Sequence, residues 1–217
     1  MKILLRLIVL AVLVAMVFST GCGSAATKEP MAFIEKVEKG EAFVRRSGDP
    51  AYTKVTGKES LFEGDSVKTG DGAEAVIRFA TGAVTRVLAG TEFELKERKM
   101  AQTNQQTVYT RLVKGVAAFY VPKNAENAKK FEVETERAVA SIKGTIFKVE
   151  HNGNVTTLTV AEGTVAFSSK ASGKAVDVAE FFKVTADDKG LGTPEKVNTL
   201  TDPDLSGDAP PIPGSRN

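Results

Sequence analysis

Hydrophobic and polar residues alternate along most of this chain in short runs that glycine-containing turns separate. The clearest run covers residues 73–79, where small and large apolar side chains take every second position. Successive side chains of a strand point to opposite faces, so this run predicts a half-buried strand. We expect Glu74 and Arg78, at the alternate positions, to form a solvated face. Thr81-Gly82 interrupts the pattern before residues 83–88 resume it, which predicts a β-hairpin.

The same plan continues in both directions from this hairpin. Asn152-Gly153 between two apolar runs is a strong hairpin signal, whereas the polar stretch 96–106 predicts a loop or hairpin excursion. A charged residue and a glycine precede four of the predicted strands, and a phenylalanine follows three or four residues after each glycine. These four pairs are Lys39-Gly40, Lys114-Gly115, Lys143-Gly144 and Glu162-Gly163. The pattern predicts an all-β fold, a single β-sandwich or jelly-roll-like domain of many short antiparallel strands over residues 33–186.

The first residues are typical of a processed leader. Lys2 and Arg6 precede an apolar stretch at residues 7–18, which is about the length of a secretory signal core. Cys22 follows directly, after a small residue, as in a bacterial lipobox, although Ser19 stands where that motif usually has leucine. We expect residues 1–21 to be a lipoprotein signal peptide, Cys22 to be lipidated and residues 22–32 to form a tether. Cleavage near residues 24–26 by an ordinary signal peptidase is the alternative.

Charge and composition exclude several classes of function. Removal of Lys2 and Arg6 lowers the Lys and Arg count from 29 to 27, which equals the 27 Asp and Glu. A neutral domain has no electrostatic footprint for nucleic acid, so we expect no nucleic-acid partner.

The end of the chain has a different composition. Residues 187–217 are rich in Pro, Gly and Asp, and this composition predicts a disordered tail.

Few residues could support catalysis or metal binding. The chain has one histidine, His151, and one cysteine, so we expect neither a Ser-His-Asp triad nor a His/Cys zinc site, and no cofactor. His151 precedes a turn, where we expect it to be exposed and idle. Two carboxylate pairs, Glu92/Glu94 and Glu132/Glu134, could in principle serve a glycosidase, but alternating solvated carboxylates explain them as well.

The order of the turn motifs resembles the FecR domain family over residues 40–184. The matching features are a Gly-Asp pair, a Thr-Gly turn, a Gly-Ala-led strand, a second glycine turn and a later Gly-Thr block. The positions that carry this pattern are expected to be structural: Gly64, Asp65, Thr69, Gly70, Gly82, Gly144, Thr145 and Gly163. Asp65 is interpreted as a turn residue that bonds nearby backbone N–H groups.

This resemblance implies a non-catalytic lipoprotein of the bacterial envelope that binds, scaffolds or relays a signal through envelope proteins. The leader leaves no cytoplasmic region before it, so we expect no direct contact with a sigma factor. Gly23 after the cysteine favours the outer membrane, with a soluble periplasmic or secreted protein as the alternative. A glycan-binding module and a carboxylate-dependent enzyme acting on carbohydrate remain the alternative functions.

Overall fold

A computed structural model describes residues 29–100, 106–123 and 128–206 of the chain. Strands dominate these residues, and the predicted all-β fold is confirmed. The predicted signal peptide, Cys22 and residues 207–217 lie outside the described residues. The strands are β1 (Ala32–Lys39), β2 (Ala42–Arg45), β3 (Thr53–Lys54), β4 (Glu59–Leu61), β5 (Ser66–Thr69), β6 (Glu74–Phe79), β7 (Val84–Val87), β8 (Glu92–Met100), β9 (Gln106–Tyr120), β10 (Ala128–Glu134), β11 (Ala138–Ile142), β12 (Ile146–His151), β13 (Thr156–Glu162), β14 (Thr164–Ser169), β15 (Ala175–Ala179), β16 (Phe182–Ala186) and β17 (Glu195–Lys196).

Strand β9 belongs to two sheets at once. Its second half lies in a first sheet of order β4-β1-β6-β7-β9-β12-β13-β16-β17. Its first half lies in a second sheet of order β3-β2-β5-β8-β9-β10-β11-β14-β15. All seventeen strands are therefore hydrogen-bonded into one continuous sheet, which folds over along β9 into two layers.

One pairing departs from the antiparallel prediction. β10 runs parallel to the first half of β9, with Phe131 opposite Val108, whereas the other pairings between the described strands are antiparallel. The cause is the path of β9, which leaves the second sheet and ends in the first. The chain then re-enters the second sheet beside the start of β9 and runs in the same direction.

Aromatic side chains from both layers meet in a single core. Phe119 and Phe147 of the first sheet stack with ring centroids 4.7 Å apart, and Phe79 meets Phe131 of the second sheet edge to face at 5.0 Å. Phe93 of the second sheet lies 6.0 Å from Phe119. Such pairs contribute about 1 kcal/mol each beyond the area they bury, so the pairs that join the two sheets help to fix how the layers face each other.

The four pairs of a charged residue and a glycine lie at points where the chain passes from one sheet to the other. Gly40 joins β1 to β2, Gly115 lies within β9, Gly144 joins β11 to β12, and Gly163 joins β13 to β14. All four have positive φ, between 63° and 96°. A side chain is disfavoured in that region of φ, so glycine permits the sharp crossing between layers.

Gly115 sits at the closest of these crossings. A Cβ atom placed there would lie 2.3 Å from Thr91 Oγ1 and 2.6 Å from Thr91 Cα. Thr91 Oγ1 accepts a hydrogen bond from the Val116 N–H (2.9 Å) and lies 3.1 Å from the Val116 carbonyl, to which it donates. The threonine hydroxyl thus takes the space a side chain would need, and it pairs the backbone groups at the bend.

The ordered part of the chain is longer than the sequence predicts at both ends. β1 begins at Ala32, and Met31 before it is buried. After β16, the chain forms β17, a 3₁₀ turn (Thr199–Thr201) and a short helix, α1 (Pro203–Ser206). The prediction of disorder from residue 187 is therefore wrong for residues 187–206. Residues 191–196 pair with the edge strand β16, and residues 199–206 lie on the outer face of the first sheet, contacts that the composition does not reveal.

Both ends of the polar stretch 96–106 that the structure describes belong to paired strands. β8 continues to Met100, which lies opposite Gln106 at the start of β9. Residues 101–105 fall outside the described residues.

Replacing Gly115 with alanine tests the role of the bend. We expect Gly115→Ala to lower the free energy of unfolding by about 3 kcal/mol, from positive-φ strain and the clash with Thr91. Gly57, which is exposed and has no atom within 4 Å of the place a Cβ would take, is the control. Gly57→Ala should change the stability by no more than about 0.5 kcal/mol. Urea denaturation of the mature chain checks both values, and equal effects would contradict the assignment.

Candidate interaction surface

Asp65 of the Gly-Asp pair is a buried corner residue. Its Oδ1 accepts a hydrogen bond from the Ser47 N–H (3.0 Å), and its Oδ2 accepts from the Phe62 N–H (2.9 Å) and from Arg46 Nη1 (2.7 Å). The neighbouring Gly64 has no room for a side chain, since a Cβ there would lie 2.4 Å from Ser47 Oγ. The pair therefore joins the turn before β5 to the end of β2.

Thr69 and Gly70 hold the next corner. The Thr69 hydroxyl accepts a hydrogen bond from the Thr91 N–H at 3.0 Å and donates to the Leu88 carbonyl. The Gly70 N–H donates to the Glu41 carbonyl at 2.9 Å. The Thr69 bonds tie the end of β5 to the turn between β7 and β8, and the Gly70 bond ties it to the turn between β1 and β2.

The remaining motif residues lie at other turns. Gly82 forms the turn of the hairpin between β6 and β7, as the sequence predicts. A Cβ on Gly144 would lie 2.7 Å from Lys123 Cα, and one on Gly163 would lie 2.7 Å from Thr145 Cγ2. The eight motif residues are thus spread over several crossings and do not form one site.

The carboxylates on β10 are engaged in ion pairs. Glu132 pairs with Lys130 and accepts a hydrogen bond from Ser141 Oγ at 2.9 Å. Glu134 pairs with Lys96 (3.1 Å) and with Lys170, beside a shallow depression of about 140 Å³. Burial raises the pKa of Glu134, but the two lysines outweigh it and hold the pKa below its ordinary value. A glycosidase acid needs the opposite shift.

Glu92 and Glu94 lie on β8, and neither lines this depression. Glu92 Oε1 accepts a hydrogen bond from the Tyr52 hydroxyl at 2.9 Å. Glu94 lies opposite Arg111 in the ladder between β8 and β9, and opposite Ser66 in the ladder with β5.

His151 is buried, which contradicts the expectation that it is exposed. Only 2% of the residue is accessible, and its Nδ1 lies 3.0 Å from Thr156 Oγ1. The Thr156 hydroxyl in turn lies 2.7 Å from that of Thr135, whereas His151 Nε2 has no hydrogen-bond partner among the described residues. Burial lowers the pKa of the imidazole. The expectation fails because His151, the last residue of β12, occupies one of the alternate positions whose side chains face the core. The turn begins only at the next residue.

The described residues contain neither a metal cluster nor a membrane-spanning helix. No group of three or more His, Cys, Asp or Glu is placed to hold a metal ion within residues 29–100, 106–123 and 128–206. In the same part of the chain, no helix has the length and apolar character needed to cross a membrane.

The outer face of the first sheet carries a compact set of side chains at its centre. They lie on the neighbouring strands β7, β9 and β12 and alternate with residues that face the core. We call this set the outer trough, and it comprises Val84, Arg86, Ala118, Tyr120, Ile146 and Lys148.

Strand register places these residues in two parallel rows. Arg86 lies opposite Ala118, and Ala118 lies opposite Lys148. In the second row, Tyr120 lies between Val84 and Ile146 by the same register. Neighbouring strands are about 4.8 Å apart, so the two basic residues stand on strands about 10 Å apart with only a methyl group between them.

Both basic side chains of the trough are largely buried and paired. Arg86 forms a two-point ion pair with Glu74, and its hydrogen bonds to that carboxylate raise the pKa of Arg86. Lys148, 7% exposed, contacts Glu150 (3.1 Å), Asp202 (2.6 Å) and Asp204 (3.2 Å). Burial lowers the pKa of Lys148, but its hydrogen bonds to Asp202 and Glu150 outweigh that and raise it.

The C-terminal segment 199–206 lies over this trough. The Tyr120 hydroxyl and Arg86 Nη1 both donate to the Asp204 carbonyl, at 3.1 and 3.2 Å. Asp202 Oδ1 accepts from the Asp204 N–H at 3.0 Å, which holds the two acidic residues together, and Leu205 is 8% exposed. The segment therefore presents carboxylates and one carbonyl to the sheet, and it buries one apolar side chain.

The expectation that Glu74 and Arg78 form a solvated face is consequently wrong. Their side chains are 13% and 18% exposed, because Glu74 pairs with Arg86 and Arg78 with Glu35. Val76 between them is 1% exposed and joins a small apolar cluster with Val84, Ala118 and Tyr120. One feature of the sequence indicates that this face is covered. The outward positions of β6, β7 and β9 include valine and tyrosine as well as charged residues.

Comparisons with known proteins agree with the fold. Residues 65–166 match the protein-family model described as FecR protein. A search of curated proteins found no match.

Two crystal structures of a proposed anti-sigma factor from Parabacteroides distasonis ATCC 8503 are similar to the chain. The structure at 2.50 Å resolution has a TM-score of 0.53 and 15% identity, and the one at 1.65 Å has a TM-score of 0.51 and 16% identity. Each alignment covers 63% of this chain and 62% of the other. At this identity the likeness concerns the fold alone, and it leaves more than a third of each chain unmatched.

Removing the Asp65 carboxylate tests the corner at β5. We expect Asp65→Ala to lower the free energy of unfolding by about 3 kcal/mol, because two backbone N–H groups would lose their acceptor and Arg46 would lose one of its carboxylate partners. Asp71→Ala, at an exposed turn position, is the matched control and should have an effect below about 0.5 kcal/mol. Urea denaturation measures both, and a loss below about 1 kcal/mol for Asp65→Ala would contradict the assignment.

The buried histidine predicts a pH dependence. Its folded pKa is depressed, so between about pH 7.5 and 5.5 the unfolded chain binds more protons and stability falls as the pH falls. The slope is at most about 1.4 kcal/mol per pH unit for one group. His151 is the only histidine, so His151→Gln should remove most of this slope. Urea midpoints at about pH 7.5, 6.5 and 5.5 check this, and a slope that persists in the variant would refute it.

Proposed function

We propose that this protein is a non-catalytic, lipid-anchored component of the bacterial cell envelope that relays or scaffolds through protein partners. The observation that carries the proposal is the match of residues 65–166 to the FecR family model. The fold likeness to a proposed anti-sigma factor supports a role in signal relay. The chain acts through an envelope protein partner and makes no direct contact with a sigma factor.

The described residues support a binding role better than a catalytic one. The motif residues are used at turns and sheet crossings, and the carboxylates of β10 are held in ion pairs. The depression beside Glu132 and Glu134, at about 140 Å³, is smaller than the roughly 300–1,000 Å³ of typical ligand pockets. A broad sheet face with a few fixed polar groups suits a protein or peptide partner.

The anchor is assigned to Cys22. The basic and apolar residues before it and the small residue at its N-terminal side support cleavage and acylation at this position. More than one acyl chain on the mature N-terminus would hold the domain stably, since each buried CH₂ contributes about 0.8 kcal/mol. Gly23 at the next position supports the outer membrane, with the domain facing the periplasm.

Cross-linking in living cells with the full-length protein, followed by mass spectrometry, tests the proposal. We expect an acylated mature N-terminus at Cys22, recovery in the membrane fraction and reproducible capture of an envelope protein. Cys22→Ala should abolish acylation and membrane recovery, whereas Ser24→Ala, two residues later, should leave both intact.

Two results would contradict the proposal. If Cys22→Ala leaves the mature mass and the membrane association unchanged, the lipid anchor is refuted. If the anchored wild-type protein captures no protein but is retained saturably on peptidoglycan or polysaccharide, glycan binding replaces the partner role.

A further inference from the structure

We propose that the outer trough is a docking surface for an acidic, leucine-containing segment of the partner protein, and that residues 202–205 of this chain occupy it as a built-in competitor. The inference rests on the proposed function for the location of the partner, but the chemistry of the surface is derived from the chain itself. The segment Asp-Pro-Asp-Leu that covers the trough shows which ligand the surface accepts.

Charge defines the first requirement of the ligand. Arg86 is already balanced by Glu74, whereas Lys148 takes two of its three carboxylate partners from the C-terminal segment. Without that segment, Lys148 keeps only Glu150, whose side chain is 44% exposed. A largely buried ammonium with one half-exposed partner favours a ligand that supplies a carboxylate.

Two donors define the backbone position of the ligand. The Tyr120 hydroxyl on β9 and Arg86 Nη1 on β7 converge on one carbonyl oxygen, that of Asp204. These contacts recognise a peptide bond rather than a particular side chain. Ala118 lies between Arg86 and Lys148, and its small side chain leaves room for a backbone to approach the sheet.

Apolar side chains define the third requirement. Val84, Tyr120 and Ile146 form the second row of the trough, and the cluster to which they belong lies on the opposite face of the sheet from the main core. Leu205, one residue after the recognised carbonyl, is the apolar residue of the segment that becomes buried. A ligand that keeps the spacing of this segment carries a leucine-like residue directly after its second acidic residue.

The built-in segment is a weak occupant. α1 has only four residues, far fewer than a helix needs to be stable by itself, and Leu200 in the preceding turn is 78% exposed. The floor of the trough consists of three central strands of a continuous sheet, which do not depend on the segment for their pairing. A tethered competitor of this kind acts at an effective concentration of about millimolar order. A partner segment displaces it by binding the trough with higher intrinsic affinity.

A peptide-binding assay with the full mature chain tests the proposal. The probe is a fluorescein-labelled peptide of this chain's residues 198–206, and its polarisation is measured against the wild type and a double variant, Asp202→Asn with Asp204→Asn. The double variant weakens the built-in competitor, so we expect it to bind the probe at least tenfold more tightly than the wild type. A probe with both aspartates changed to asparagine should bind at least tenfold more weakly.

Three further variants in the double-variant background locate the binding. Lys148→Met should reduce probe binding at least tenfold, and Tyr120→Phe, which removes one hydroxyl, should reduce it about threefold. Lys183→Met is the matched control, since Lys183 lies on the same face on β16 but pairs with Glu195, and it should leave binding unchanged. Circular dichroism of each variant verifies folding. If Lys148→Met fails to fold, the Tyr120→Phe variant alone tests the location of probe binding.

Several outcomes would overturn the proposal. Binding by the folded double variant that is no tighter than wild type would refute the competitor, and equal losses for Lys183→Met and Tyr120→Phe would refute the location. Wild-type dimers that form with concentration and dissociate on addition of the probe would assign the trough to a second copy of this chain. Intact peptide binding without any envelope protein captured in cells would refute the proposed function but not the docking surface.

Discussion

The bend of β9 at Gly115 is the constraint on which the rest of the structure depends. This one strand pairs with β8 and β10 in one layer and with β7 and β12 in the other. The bend requires positive φ and a residue without a side chain, and Thr91 fills the space and satisfies the backbone on both sides. If β9 did not turn there, the two layers could not share a strand and face each other.

The same strand also connects the core to the candidate interaction surface. Phe119 points into the aromatic core, and its neighbours Ala118 and Tyr120 point to the outer face. Alternation along a few residues therefore supplies both the packing that holds the layers together and the floor of the trough. A change in the register of β9 would exchange the two sets of side chains and destroy both.

Local patterns in the sequence predict much of this fold. Alternation identifies the strands around residues 73–88, and glycine turns identify the hairpin at Gly82. The four pairs of a charged residue and a glycine lie at some of the crossings between layers, although the sequence alone presents them only as strand starts. The parallel pairing of β9 with β10 is not predictable in this way, because it follows from the path of the whole chain.

The candidate surface is harder to predict because a period of two assigns a residue to a face but does not say what covers that face. Arg86 and Lys148 have the pattern of solvated charges, yet a segment more than fifty residues after Lys148 buries them. The composition of residues 187–206 indicates disorder, since the segment has no core of its own and gains order only on the sheet. The burial of His151 escapes prediction for a related reason: closeness to a turn says little about which face a residue occupies.

The most direct test of a partner-binding trough is site-specific photo-cross-linking in living cells. A photoreactive residue in place of Glu150, at the rim of the trough, is compared with one in place of Asp177, which is exposed on β15 at the edge of the other sheet. We predict that position 150 captures an envelope protein, that position 177 does not, and that the yield at 150 rises with Asp202→Asn and Asp204→Asn. Capture from position 177 alone, or the same yield from both positions, would contradict the assignment of the outer trough.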